Sequence, residues 1–265
     1  MSRTREDWSS LLQHPRSVDE FTSGKWFECL ANSLLNKSKL IVNELPHRIV
    51  EIEFYYHSPK HPDPFAHRGP LQRERGRWCF HRTGRTHQSY RGGSFKGLDL
   101  TFGDGIAFAG ILLRSVERPD GELINGPSLL VDYLLNVTEQ QSVAALDDLI
   151  NTRQVWDSSS PISMLPVEDR RQPVTWTSRV GLSLKRVAPS EANLSFLVRR
   201  YRYLTERKRI SKGKRQTILA LHADGLTIDE ISRETGTRVA SIQRILSVYS
   251  MDWARLYRGP QKPTA

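Results

Sequence analysis

Cysteine is nearly absent from this chain. Cys29 and Cys79 are the two among 265 residues, so no disulfide framework is expected and stability must come from a buried core. Long apolar runs are missing as well. No stretch reaches the length that crosses a bilayer, and the first residues lack the order of a secretory leader, so the expectation is a soluble protein of a reducing cytoplasm with no membrane contact. Paired metal-ligand spacings are also lacking. His57, His61, His67, Cys79, His81 and His87 fall into no C-x-x-C or finger pattern, and neither a metal nor a cofactor is expected. Acid is scarce relative to base: 29 Asp and Glu face 39 Lys and Arg, a formal net charge of +10. An excess of that size suits a partner that carries phosphates.

The excess is concentrated. Arg199, Arg200, Arg202, Arg207, Lys208, Arg209, Lys212, Lys214 and Arg215 fall close together and only Glu206 opposes them. Such a run reads either as a phosphate-binding surface or as a solvated basic linker. Immediately after it, Arg215 to Ala223 has helical spacing, Thr227 and Glu230 form a capping box, and a third helix is expected from Thr237 with Val239, Ile242, Ile245 and Leu246 on one face. Three short helices with Gly225 and Gly236 at the breaks are similar to a helix-turn-helix, the third helix lying in the major groove with Arg238, Ser241 and Arg244 toward DNA. The competing reading is a small bundle packed on the main domain or on another subunit.

Upstream, Arg48 to Tyr55 alternates as a half-buried strand, and that alternation places Glu51, Glu53 and Tyr55 on one face. Carboxylates are poor strand formers and are costly to bury unpaired, so two on one face ask for a solvated edge or for a site. Further strands are expected at 39–43, 96–102 and 106–116, a helix starting at Pro127, and another from Thr138 to Leu149. The fold class is therefore α+β.

Around that strand lie Phe65-Ala66-His67-Arg68-Gly69, Arg75-Gly76, Phe80 to Gly84, Leu112-Leu113-Arg114, Gly126-Pro127-Ser128 and Arg179-Val180-Gly181, with Ala31 to Leu35 before it. This series resembles the alkyladenine (3-methyladenine) DNA glycosylase family, which shows matching motifs in the same order. The resemblance spans roughly residues 25–205 and implies a single mixed domain whose curved antiparallel sheet lines a basic groove for double-stranded DNA. It divides the chain into an N-terminal extension (1–24), a glycosylase-like domain (25–205), a basic linker (206–213) and the helix-turn-helix with its tail (214–265), expected as a monomer, nucleoid-associated if the cell is bacterial.

The chemistry implied is monofunctional hydrolysis of an N-glycosidic bond by water. By the resemblance, Glu53 is the general base at C1′ and Arg114 pins the target phosphate and helps hold the water, whereas Glu51 has no equivalent catalytic role in the family. Tyr55 stacks on the extruded base and His67 bonds the flipped nucleotide. Other positions depart from the pattern. The two tyrosines of the family's aromatic wall fall on His87 and Ser89, and the tyrosine wedge falls on Gly92, leaving Tyr90 or Arg91 to fill the vacated stack. Asp99 replaces an asparagine that rejects guanine, and an aspartate there could accept bonds from amino or hydroxyl groups. A wider, more polar pocket suits a bulky modified base, such as glucosylated hydroxymethylcytosine in viral DNA, and hence antiviral defence. The alternatives are repair of alkylated purines and, in another class, a non-catalytic DNA-binding regulator.

Overall fold

A computed structural model describes residues 10–15, 18–19, 22–83, 88–182 and 190–248. Helix α1 (Ser23–Asn36) carries Phe27, Leu30, Ala31, Leu34 and Leu35 at helical spacing, and all five are buried. The chain continues through β1 (Ser38–Val42), the long β2 (Leu45–Ser58), β3 (His61–Pro62), β4 (Arg75–Phe80), β5 (Arg82–Thr83), β6 (Ser89–Tyr90), β7 (Leu98–Phe102), β8 (Phe108–Glu117) and β9 (Leu123–Asn125). Then come α2 (Pro127–Val137), α3 (Val143–Ile150), β10 (Ile162–Pro166), β11 (Thr175–Thr177), α4 (Glu191–Val198) and β12 (Arg202–Leu204), and last α5 (Lys214–Ala223), α6 (Ile228–Thr235) and α7 (Val239–Val248).

Ten of the strands form one antiparallel sheet whose main path runs β10, β1, β2, β8, β7, β4. β2 outreaches β1, and its free edge is taken by β12, which pairs Arg202 with Glu53 and Leu204 with Glu51. The α+β class expected from the sequence is observed, and all four expected strands are present with ends moved by a few residues. The expected helix from Thr138 to Leu149 is corrected. Thr138 closes α2, Glu139 adopts a left-handed turn (φ 56°), and Ser142 caps α3 by accepting from the Ala145 N–H.

The sheet has two unlike faces. One carries Phe54, Leu100, Phe102, Ile111, Leu113 and Tyr203 against α1, with the Phe27 and Phe54 rings stacked at 4.6 Å. This is the main core. Alternation puts the acids and arginines on the opposite face, and they are buried too.

Candidate active site on the polar face of the sheet

Glu51 and Glu53 share a face, as their spacing requires, and both are fully buried. The ladder between β2 and β8 slips twice beside them, from Ile49/Glu51 and again from Glu51/Ile52, so Arg114 becomes an extra residue on β8. A bulge re-aims the side chain it carries. Here it turns Arg114 onto both acids, with Nε 2.9 Å from Glu51 and Nη1 3.2 Å from Glu53. Glu51 also accepts from Arg202 Nε at 2.7 Å and from the Ser115 hydroxyl. Burial alone would raise the Glu51 carboxyl, but the charges of Arg202 and Arg114 outweigh it and hold the group below its ordinary value. Burial would lower the Arg114 guanidinium, and the charges of Glu53 and Glu51 raise it instead.

Glu53 is fixed by three donors. The Val180 N–H gives to one oxygen at 2.7 Å, while the Tyr55 hydroxyl, at 2.9 Å, and Arg114 give to the other. Burial, then the Glu53 charge, push the Tyr55 phenol well above its ordinary value, so the hydroxyl stays protonated and donating. One face of the Tyr55 ring is covered by the Arg179 guanidinium at 4.6 Å, itself held by Asp63 at 2.6 and 3.1 Å. Arg114 is thus engaged with both carboxylates and 5% exposed.

Beyond β8 and β7, at β4, where Cys79 is the register partner of Asp99, is a cavity of about 180 Å³ bordered by His67, Gly69 to Gln72, Cys79 to Arg82, and Asp147. The expectation that Asp99 offers a free acceptor on its floor is also corrected. One Asp99 oxygen accepts from Gln72 at 2.9 Å and the other pairs with His81 Nε2 at 2.9 Å. Gly110 leaves the room for this, since a Cβ there would lie 2.6 Å from Asp99 Oδ2. His67 borders the cavity, its ring 4.3 Å from that of His81. Cys79 borders it too, but burial first and then Asp99 and Asp147 push its thiol far up, so it is no nucleophile.

The expected rim is only partly assembled. His87 lies outside the described residues, and Ser89 is exposed on β6, away from the cavity lining. Tyr90 is tied down rather than poised to insert. Its hydroxyl donates to Asp147 at 2.7 Å, Arg82 lies 4.3 Å over its ring, and its phenol is pushed up to about 12 by burial and then by Asp147. Arg91 donates from Nε to the Arg82 carbonyl at 3.2 Å. Gly92 is exposed, and the turn after it presents Phe95 at 69% exposure, an apolar ring that the sequence reading missed. Its signal was there: a lone aromatic within Gly92-Gly93-Ser94-Phe95, which cannot be a strand core.

The basic run divides between inside and outside. Arg202 is fully buried, Arg199 is 8% exposed with its guanidinium 4.0 Å over Phe196, and Arg200 pairs with Asp224 at 2.7 Å. Lys214 donates to the carbonyls of Arg207, Lys208 and Thr235. All four are engaged within the fold, Arg199 and Arg202 as buried residues and Arg200 and Lys214 as half-buried ones. The C-terminal helices follow their local signals: Thr227 and Glu230 form the reciprocal capping box and Gly236 ends α6 in the left-handed region. Arg238, Gln243 and Arg244 are exposed at and along α7, and Ser241 is half-buried.

Fold and site together define a mixed α+β protein with a buried row of paired acids and arginines and, further along the sheet, a small cavity. The chain belongs to the same family as the uncharacterized protein L759 of Acanthamoeba polyphaga mimivirus, to which it is 36% identical over 160 residues, 55% of this chain and 67% of the viral protein. No protein-family model matches the chain. Among the described residues no helix is long and apolar enough to cross a membrane.

Proposed function

We propose that this chain is a monofunctional DNA glycosylase of the alkyladenine type, which extrudes a modified base from double-stranded DNA and hydrolyses its N-glycosidic bond. One observation carries the reading. Glu53, Leu112 and Asp99 are register partners across β2, β8 and β7, so the carboxylate and the residue that anchors the cavity wall lie on one face. Two strand spacings separate them, about 10 Å. That spacing suits a nucleotide whose sugar meets Glu53 while its base enters the cavity beside His67. Glu53 takes the proton of the attacking water as the C1′–N bond breaks and its electron pair leaves with the base, and its negative charge opposes the oxocarbenium-like sugar. Arg114 orients that carboxylate, and Phe95 fills the vacated stack. A bulky modified base, such as glucosylated hydroxymethylcytosine, is preferred to a methylated purine because His87 and Ser89 stand where the family has the tyrosines of its aromatic wall. The exposed cations at and along α7 hold the DNA.

The test is a panel of duplexes and phage genomic DNAs carrying different modified bases, read by alkaline cleavage at abasic sites and by mass spectrometry of the released base. Glu53→Gln keeps the shape but accepts no proton, and single-turnover release should fall roughly a hundredfold or more with DNA affinity within a few-fold. Release at an undiminished rate by this variant would remove Glu53 from the chemistry.

A further inference from the structure

The two carboxylates are held from a region that carries no part of the chemistry proposed above. Arg202 reaches Glu51 with Nε, and most of its remaining bonds go to the start of α5: Nη2 donates to the Lys212 carbonyl at 2.9 Å, and Nη1 to the Gly213 carbonyl at 3.2 Å and the Thr217 hydroxyl at 3.4 Å, besides the Thr177 hydroxyl on β11 at 3.2 Å. Val180, whose N–H holds Glu53, touches the same place. A Cβ built on Gly213 would lie 2.4 Å from Val180 Cγ2 and 2.8 Å from Arg202 Nη1, and Gly213 itself has φ +76°. α5 in turn is seated by apolar contact, with Leu219 and Ala220 against Val198.

We propose that the Gly213 cap of α5 is a clamp on the active site, with Arg202 as its positioning residue toward Glu51 and Arg114 and the Val180 N–H as its second arm toward Glu53. The C-terminal helices then set the rate of base release as well as the affinity for DNA. Seating of α5 fixes where Arg202 can place Nε, Glu51 fixes Arg114, and Arg114 with Val180 fixes the Glu53 oxygens. Displacement of a catalytic group by about an ångström costs as much as a hundredfold in rate, so a support this close has that leverage. The proposal rests on the reading of Glu53 as the catalytic base, and its test keeps the two apart.

Two variants of the full chain probe it. Gly213→Ala removes no side chain of the network but pushes a methyl between the two arms, which must shift, while Arg202→Lys keeps the charge but loses the fork that bonds Glu51 and the Lys212 carbonyl together. Each is compared with the unaltered chain on the duplex that the latter cleaves in the panel, by single-turnover release, by DNA affinity, and by amide exchange at Val180. The expected result is a fall in release of roughly tenfold to a hundredfold at unchanged affinity, with Val180 exchange faster by roughly tenfold or more. The acid limb of the rate profile should move up in pH for Arg202→Lys, a change that a merely structural role does not produce. Gly213→Ala releasing base at the normal rate with normal Val180 exchange overturns the proposal. If Gly213→Ala does not fold, the same readouts on Arg202→Lys decide. If the unaltered chain releases no base from any duplex, the glycosylase reading fails, and Val180 exchange alone still decides whether the clamp exists.

Discussion

Arginine does two different jobs in two parts of this molecule. On the polar face of the sheet, Arg114, Arg179 and Arg202 are buried and each is matched to a carboxylate: Arg179 to Asp63, Arg202 to Glu51, and Arg114 to Glu51 and Glu53. At and along α7, Arg238 and Arg244 are exposed on a surface built over the apolar Ile218, Leu221, Ile231 and Ile242. The first set is desolvated and structural: removing Arg179 strands Asp63 and removing Arg114 takes the cation from Glu53, whereas Glu51 is shared between Arg202 and Arg114. The second is solvated and screened by salt, and it adds little to stability. An arginine's neighbours in sequence do not say which job it has. Arg202 and Arg209 are seven positions apart; one is fully buried, and the other reaches Glu117 and the Gly121 carbonyl at the surface.

The largest effect is expected from breaking a buried pair. Arg179→Met leaves Asp63 with no cation in an apolar setting and removes the cover from the Tyr55 ring. The cost should be about 3–5 kcal/mol, or a fall of roughly 10 °C or more in Tm by differential scanning calorimetry. Arg238→Ala in the same assay should shift Tm by no more than a degree or two. Equal shifts for the two would erase the distinction drawn between them.

Acid should sharpen it. His61 is buried between the Tyr56 carbonyl and the Tyr201 hydroxyl, and burial pushes its pKa from 6.5 down to about 4. Below pH 6.5 the unfolded chain binds a proton that the folded chain refuses, so stability present at neutral pH is lost as pH falls toward about 4. For a group of this burial the loss is about 3 kcal/mol. Glu51 acts in the same direction at lower pH, since its depressed carboxyl is ionised in the fold and must be protonated to escape its arginines. Melting followed from pH 7 to pH 4 should therefore fall steeply, and His61→Gln, which keeps a donor and an acceptor, should flatten the fall. A pH-independent Tm over that window would show that His61 is solvated.

What the sequence made legible was local. The alternation of β2, the proline start of α2 and the capping box of α6 are each decided by residues within a turn or two, and each was placed correctly. The long-range closures were not legible. Glu51 was given no catalytic role by the resemblance, and its partner Arg202, 151 residues away, was not foreseen; Arg202 was read as a phosphate contact because its sequence neighbours are basic. Asp99 was read as an open acceptor because nothing local announces that Gln72 and His81 close on it. Tyr90 was kept beside Arg91 as a candidate wedge for the same reason: Asp147, which holds it, is 57 residues on. Burial sorts charges by their partners, and partners set by sheet register are invisible to composition.

The smallest effect belongs to the exposed arginines, and it is the one that tests what the C-terminal helices touch. If Arg238 and Arg244 meet phosphates, removing either should weaken binding to any duplex by about 1 kcal/mol and reduce the slope of log affinity against log salt by about one, with little dependence on sequence. If either reads a base edge, one duplex sequence should lose about 1–3 kcal/mol and the others little. Either result should leave Val180 exchange and single-turnover release untouched, because the side chains lie on the exposed surface of α7 and not on the Gly213 side of α5. Affinity measured by fluorescence anisotropy between 50 and 200 mM salt on two unrelated duplexes separates these outcomes. If neither substitution changes affinity or slope, α7 is not a DNA-facing helix, and the basic surface must find its phosphates elsewhere.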